Sequence, residues 1–318
     1  MFLKILILNI VWFITIGCDF IVKPEHPESN LSTGSPLEKG PINYKTTISE
    51  TSFPSYVQNV SSLTYRIPQI DKPLPTIIVE PGFFSSTTQL DDVQDRLASH
   101  GFLVIGVNNT SHFNLITTSL EPYKVTLLET IQYVLQSVAE SSHPLYGKVD
   151  TLAIGIMGHS LGGGGVIRAC DSIGSAYNKY IKTAIAMNPY GKCSGSNIKI
   201  PVMLFSSDLD VSTNPFMPDG AASSENVYYS FNSIKSDKAK LFANFKDMDH
   251  NGVIDTTLLL TTSGNADLFL PTIIAWLKVY LTDDGVYEAY INPNSKEYTV
   301  LKDRFTDKGS IAAYLYAK

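Results

Sequence analysis

The stretch Thr151-Leu152-Ala153-Ile154-Gly155-Ile156-Met157-Gly158-His159-Ser160-Leu161-Gly162-Gly163-Gly164-Gly165 decides the fold. Its first seven residues are a short apolar run of strand length, without the alternation of a half-solvated strand, and so predict a strand buried on both faces. The run ends in the pattern G-x-S-x-G, and Val166-Ile167 then opens a helical segment. A strand that passes through such a turn into a helix holds its serine at the tip. The backbone N–H groups at the mouth of the helix face outward, ready to receive a negative oxygen. Glycines on either side of Ser160 let the chain pass close to itself where a Cβ would clash.

Outward from this segment, the pattern predicts strands at 43–49, 63–68 and 75–80. A helix over 88–100 then leads to a strand at 102–107, and a helix over 122–139 leads to the strand at 151–157. Further strands are expected at 183–187, 202–206 and 241–246, followed by a helix over 269–281. Strands first and β-α alternation after them imply an α/β fold, a doubly wound and mostly parallel sheet with ligands collecting at the carboxyl ends of its strands. Residues 41–285 form the expected catalytic domain, with no segment that reads as a separate lid domain. The Tyr-rich residues 286–318 are expected to pack on it as an extension along the sheet edge.

The composition excludes some functions. The 318 residues include only 17% charged side chains, and the net charge is −6, so a nucleic-acid partner is not expected. Lys4 followed by the apolar run Ile5 to Ile16 has the form of a signal peptide over residues 1–17, too short to span a bilayer as a helix. Thr15-Ile16-Gly17-Cys18 resembles the lipobox of bacterial lipoproteins, with Thr15 where Leu is usual. Lipidation of Cys18, with membrane attachment through it, and plain cleavage after Gly17 are the two processing outcomes, and both export the chain. Pro24, Pro27, Gly34, Ser35 and Pro36 mark residues 18–40 as a tether. Cys170 is expected deep in the helix after Ser160 and Cys193 in a loop, too far apart to pair.

A serine hydroxyl needs a neutral imidazole to take its proton and a carboxylate to hold that imidazole in one tautomer. In sheets of this kind the chain order is serine, acid, histidine. Of the six histidines, His26, His100, His112, His143 and His159 precede Ser160, which leaves His250 in the polar turn Asp247-Met248-Asp249-His250-Asn251-Gly252 as the base. Asp208 and Asp210 both follow the strand at 202–206 and either suits the acid; Asp249 is expected to be solvated. Leu161 supplies one backbone donor of an oxyanion hole, and the loop Pro81-Gly82-Phe83-Phe84 supplies the second, expected at Phe83. The chemistry requires no cofactor and no metal, and Asp247 to Gly252 lacks the later carboxylates of a calcium loop. The glycosylation-type triplets at Asn59 and Asn108 are read as chance matches, as the resemblance of residues 15–18 to a bacterial lipobox implies.

Several stretches together resemble the bacterial cutinase-like polyester hydrolases, which include poly(ethylene terephthalate) (PET) hydrolases, within the dienelactone hydrolase-like α/β-hydrolases. They are Glu80-Pro81-Gly82-Phe83, the run Leu97-Ala98-Ser99-His100-Gly101-Phe102-Leu103-Val104, the turn from Gly158 to Gly165, Asn188-Pro189-Tyr190, Asp208-Leu209-Asp210 and Asp249-His250. The resemblance implies an α/β-hydrolase fold and a triad of Ser160, Asp210 and His250, with Asp210 preferred to Asp208 on this ground. It also implies oxyanion donors at Phe83 and Leu161 and substrate contacts at Phe83 and Tyr190. Phe83 stands where the family usually has Tyr, Leu161 where Met is common, and Tyr190 where a Trp stacks on substrate. The segment from Val211 to Asp237 is longer and richer in Ser and Asn than in the family. The expected activity is a secreted serine carboxylesterase of cutinase or polyesterase type, acting as a monomer on an ester or polyester. The alternatives are an esterase, lipase or phospholipid acetylhydrolase-like enzyme on soluble acyl esters, and a non-catalytic surface-binding lipoprotein on the same scaffold.

Overall fold

The computed structural model describes residues 34–83, 85–110, 119–210, 222–255 and 265–318. The expected signal peptide, Cys18 and most of the tether lie outside the described residues, as do Phe84, His112 and the first part of the long segment after Asp210. Nine strands form one sheet: β1 (Tyr44–Glu50), β2 (Val60–Pro68), β3 (Leu74–Glu80), β4 (Leu103–Asn109), β5 (Val149–His159), β6 (Ile181–Met187), β7 (Val202–Ser207), β8 (Lys240–Phe245) and β9 (Tyr314–Ala317). They lie in the order β1-β2-β4-β3-β5-β6-β7-β8-β9. The six from β4 to β8 run parallel, while β1 and β2 at one edge and β9 at the other are antiparallel to their neighbours. The chain therefore has an α/β-hydrolase fold with a mostly parallel sheet.

Helices cover both faces, which is why the central strands are mostly apolar runs rather than alternating ones. On one face α1 (Asp91–Ser99) and α5 (Ala266–Leu281) bury Val93, Leu97, Ile273 and Trp276 against Ile77, Val79, Met157 and Phe205. On the other, α2 (Glu121–Ser137), α3 (Leu161–Asp171) and α4 (Ser224–Ser233) bury Leu127, Ile131, Val166 and Phe231 against Ile78, Ile105, Ile156 and Leu204. No helix among the described residues is long and apolar enough to cross a membrane.

Among the elements that differ from the expectation, three have a physical reason that can be named. The helix expected from Thr88 begins as a 3-10 turn over Thr87–Leu90, because the Gln89 side chain accepts from the Ser86 N–H and tightens the entry before α1 starts at Asp91. Helix α5 starts at Ala266, five residues before Pro271, whose missing N–H leaves the Asp267 carbonyl without its helical donor. Arg304 donates to that carbonyl and to Leu268 O at 3.0 Å, so a distant side chain supplies what the proline removes. Helix α4 is absent from the sequence reading. Its Ser- and Asn-rich run has weak propensity, but Ser223 caps it by accepting from Asn226 N, and Val227 and Phe231 bury one face.

The tether's last residues are fastened to the fold: Glu38 O contacts His100 Nε2 at 2.9 Å, and Gly40 N donates to Ser99 Oγ at 3.0 Å. Under them lies Lys278, 6% exposed, which donates to His100 O at 2.8 Å and lies over the Phe102 ring. Burial lowers its pKa from the usual 10.5 to about 8. Since the unfolded chain keeps this proton up to a higher pH than the folded one, stability rises with pH between about 8 and 10.5. That one group contributes a change of about 3 kcal/mol across the window. Lys278→Met is expected to flatten the slope, measured as unfolding free energy in urea across that range; an unchanged slope would refute the assignment.

Candidate active site

The parallel register aligns the carboxyl ends of the central strands. Glu80 is opposite Gly158, His159 opposite Met187, Met187 opposite Phe205, and Ser207 opposite Phe245. The loops that carry Phe83, Ser160, Tyr190, Asp210 and His250 therefore all leave one rim of the sheet.

Ser160 sits at φ 55°, ψ −119°, a backbone conformation that L-residues rarely adopt and that costs roughly 1–3 kcal/mol. Surrounding hydrogen bonds hold it there. Ser160 N donates to Met187 O at 3.0 Å, and Ser160 O accepts from Gly164 N at 2.9 Å and Tyr190 N at 2.8 Å. Gly162 is required because a Cβ there would lie 2.4 Å from Glu80 O and 2.6 Å from Pro81 O. The strained turn is thus wedged against the end of β3.

Ser160 Oγ lies 2.9 Å from His250 Nε2, and His250 Nδ1 lies 2.7 Å from Asp210 Oδ2. The Asp210 side chain is fully buried, while the imidazole keeps 19% of its surface in solvent, so the carboxylate is shielded and the ring can be reached. Asp208 has another role: its Oδ1 accepts from Met248 N at 3.2 Å and pins the loop that carries His250. Asp249 is half-buried and caps its own turn, accepting from Asn251 N at 3.0 Å.

On the other side of Ser160, Gly82 presses so close that a Cβ would come within 2.7 Å of the serine Cβ, which brings the Phe83 loop against the nucleophile. Leu161 is the first residue of α3, so its N–H belongs to the first-turn amides that find no acceptor within their own helix. Phe83, Leu120 and Tyr190 are half-buried and pack around the buried pair Tyr123 and Leu161, making an apolar wall beside the serine. Leu120 was not anticipated from sequence; it precedes α2, and only the fold brings it over Gly164.

Two further titratable groups at the rim are buried, and in both burial disfavours the charged form. Burial pushes the Glu80 carboxyl well above the usual carboxylate range, an effect that the hydrogen bond from Asn109 only partly offsets. Burial, together with the neighbouring His250, holds His159 well below the usual histidine range. Cys170 and Cys193 are buried free thiols. Among the described residues no cluster of His, Cys, Asp or Glu could hold a metal ion.

The family described as PET hydrolase-like matches residues 35–310. A cutinase (est1) of Thermobifida alba is 24% identical over 275 residues, covering 82% of this chain and 82% of its own length. Cutinase 1 of Thermobifida cellulosilytica is 23% identical over 283 residues, or 83% of this chain and 94% of the relative. A bis(hydroxyethyl) terephthalate hydrolase of Streptomyces coelicolor is 26% identical over 272 residues, or 81% of this chain and 78% of the relative.

Proposed function

Since the chain belongs to the PET hydrolase-like family and is an ester hydrolase, we propose that it cleaves carboxylic esters through an acyl-enzyme formed on Ser160. The observation that carries this reading is the unbroken chain of contacts from Asp210 through His250 to Ser160, at 2.7 and 2.9 Å. Ser160 Oγ attacks the ester carbonyl while its proton passes to His250 Nε2. Asp210 accepts from Nδ1–H and stabilises the imidazolium that forms. The backbone N–H groups of Phe83 and Leu161 receive the oxyanion, His250 returns the proton to the departing alcohol, and water then releases the acid by the same route.

Phe83 and Tyr190 belong to the apolar wall around Leu161, which suits an apolar ester chain, and the substrate class is a polyester or cutin-like ester. The protein acts as a monomer and is exported, with Cys18 as its lipid anchor. Cys18→Ser is then expected to release the protein from the membrane fraction.

Hydrolysis of p-nitrophenyl acetate, butyrate and octanoate, run beside release of soluble products from a polyester film, tests the function. Turnover of both, with a fluorophosphonate label on Ser160, supports a polyesterase. Turnover of the small esters alone narrows the function to soluble acyl esters, and neither turnover nor label would leave a binding protein on a hydrolase scaffold.

A further inference from the structure

We propose that His159, the residue before the nucleophile, is a positioning residue for the general base: it grips the backbone carbonyl of His250 and so sets where that imidazole stands relative to Ser160. The proposal rests on the reading of Ser160 and His250 given above. His250 enters the site from the loop after β8, three strands away from β5, a span of roughly 14 Å at ordinary strand spacing. Its side chain is oriented at Nδ1 by Asp210, and its loop is tied at Met248 to Asp208 Oδ1 and Leu209 N, but these bonds fix the chain two residues before His250 rather than the peptide of His250 itself.

His159 supplies an anchor at His250 itself. Its Nε2 lies 2.8 Å from His250 O, and because a carbonyl only accepts, the ring must carry its proton on Nε2 and donate. The two imidazoles also lie against one another, with centroids 4.8 Å apart and planes tilted by 40°. Asn188 Nδ2 adds a longer bond to the same carbonyl at 3.3 Å, and Asn188 is itself held by Ser207 Oγ at 3.0 Å. The last residue of β5 and the first after β6 thus meet at His250 O, and the last of β7 is tied to them through Asn188.

A packing role alone does not account for the histidine. His159 is 2% exposed, and its Nδ1 has no hydrogen-bond partner among the described residues. Burying an imidazole with one nitrogen unsatisfied is costly where Met or Leu would fill the space. The return is geometric: His159 adjoins Ser160 on the same strand end, so nucleophile and base move in one frame.

The test compares His159→Met, which removes the donor, with His159→Gln, whose amide nitrogen falls near the position of Nε2. His159→Met is expected to lower kcat on p-nitrophenyl butyrate by roughly 10- to 100-fold with KM little changed, as for a base displaced by a fraction of an ångström. His159→Gln is expected to recover most of that loss. An active Met variant, a Gln variant as impaired as Met, or a change confined to KM would each overturn the proposal. Should His159→Met not fold, NMR of the wild-type protein decides. A His159 ring protonated on Nε2 and unchanged from acid to neutral pH supports the proposal, and a proton on Nδ1 or titration of that ring refutes it. Undiminished turnover by Ser160→Ala would instead overturn the reading of the site, a result separable from any of these.

Discussion

Ser160→Ala is expected to lower kcat on p-nitrophenyl butyrate by about a millionfold, and Asp210→Asn by about ten-thousandfold, with both variants folded. The two losses differ in origin. Without Oγ there is no covalent route, and what remains is whatever the oxyanion donors do for attack by water. With Asn at 210 the nucleophile and base survive, but an amide in place of the carboxylate no longer stabilises the imidazolium and can present an N–H to Nδ1, favouring the wrong tautomer. Asp208 provides the internal comparison, since its carboxylate holds Met248 N and does not reach the imidazole. Asp208→Asn is therefore expected to cost far less than Asp210→Asn, and the reverse order in steady-state kinetics would move the acid to Asp208.

The second large effect is expected at Gly162. Adding only a methyl group there places a carbon 2.4 Å from Glu80 O and 2.6 Å from Pro81 O, and both contacts are backbone atoms that cannot rotate away. Either the end of β3 or the start of α3 must move, which is expected to destabilise Gly162→Ala by about 3 kcal/mol. The same movement displaces the Phe83 loop from Ser160, so activity should fall further than the loss of folded protein explains. Urea unfolding with parallel kinetics, against Gly285→Ala, where a Cβ meets nothing within 4 Å, separates the two contributions. A Gly162→Ala variant as stable and as active as the control would show that the turn is not wedged against β3.

Strands buried on both faces are legible because they are apolar at most positions rather than at alternate ones, and the central strands β3 to β8 read correctly for that reason. Their edges read less well. Strand β2 extends to Val60 and β5 back to Val149 through residues whose strand conformation depends on pairing with neighbours rather than on their own side chains. Helix α4 escaped notice because Ser and Asn contribute little propensity, and its stability comes from Val227 and Phe231 packed under the sheet. The start of α5 depends on Arg304, remote in sequence, and no local pattern reveals it.

The sequence by itself determined the layering of the fold and singled out Ser160 and His250 as the proposed nucleophile and base. Those follow from local rules: a short apolar run, a turn of small residues, and a fixed order of chemical groups along the chain. Only the tertiary structure decided which aspartate meets the imidazole. Asp208 and Asp210 are two residues apart in one loop, and their separation into a loop pin and a histidine partner depends on where Met248 N and His250 Nδ1 stand across the sheet. It alone also assigned contacts to His159, Asn188 and Leu120. Their neighbours come from distant strands and helices, and a hydrogen bond or a packing contact exists only once both partners occupy the same place.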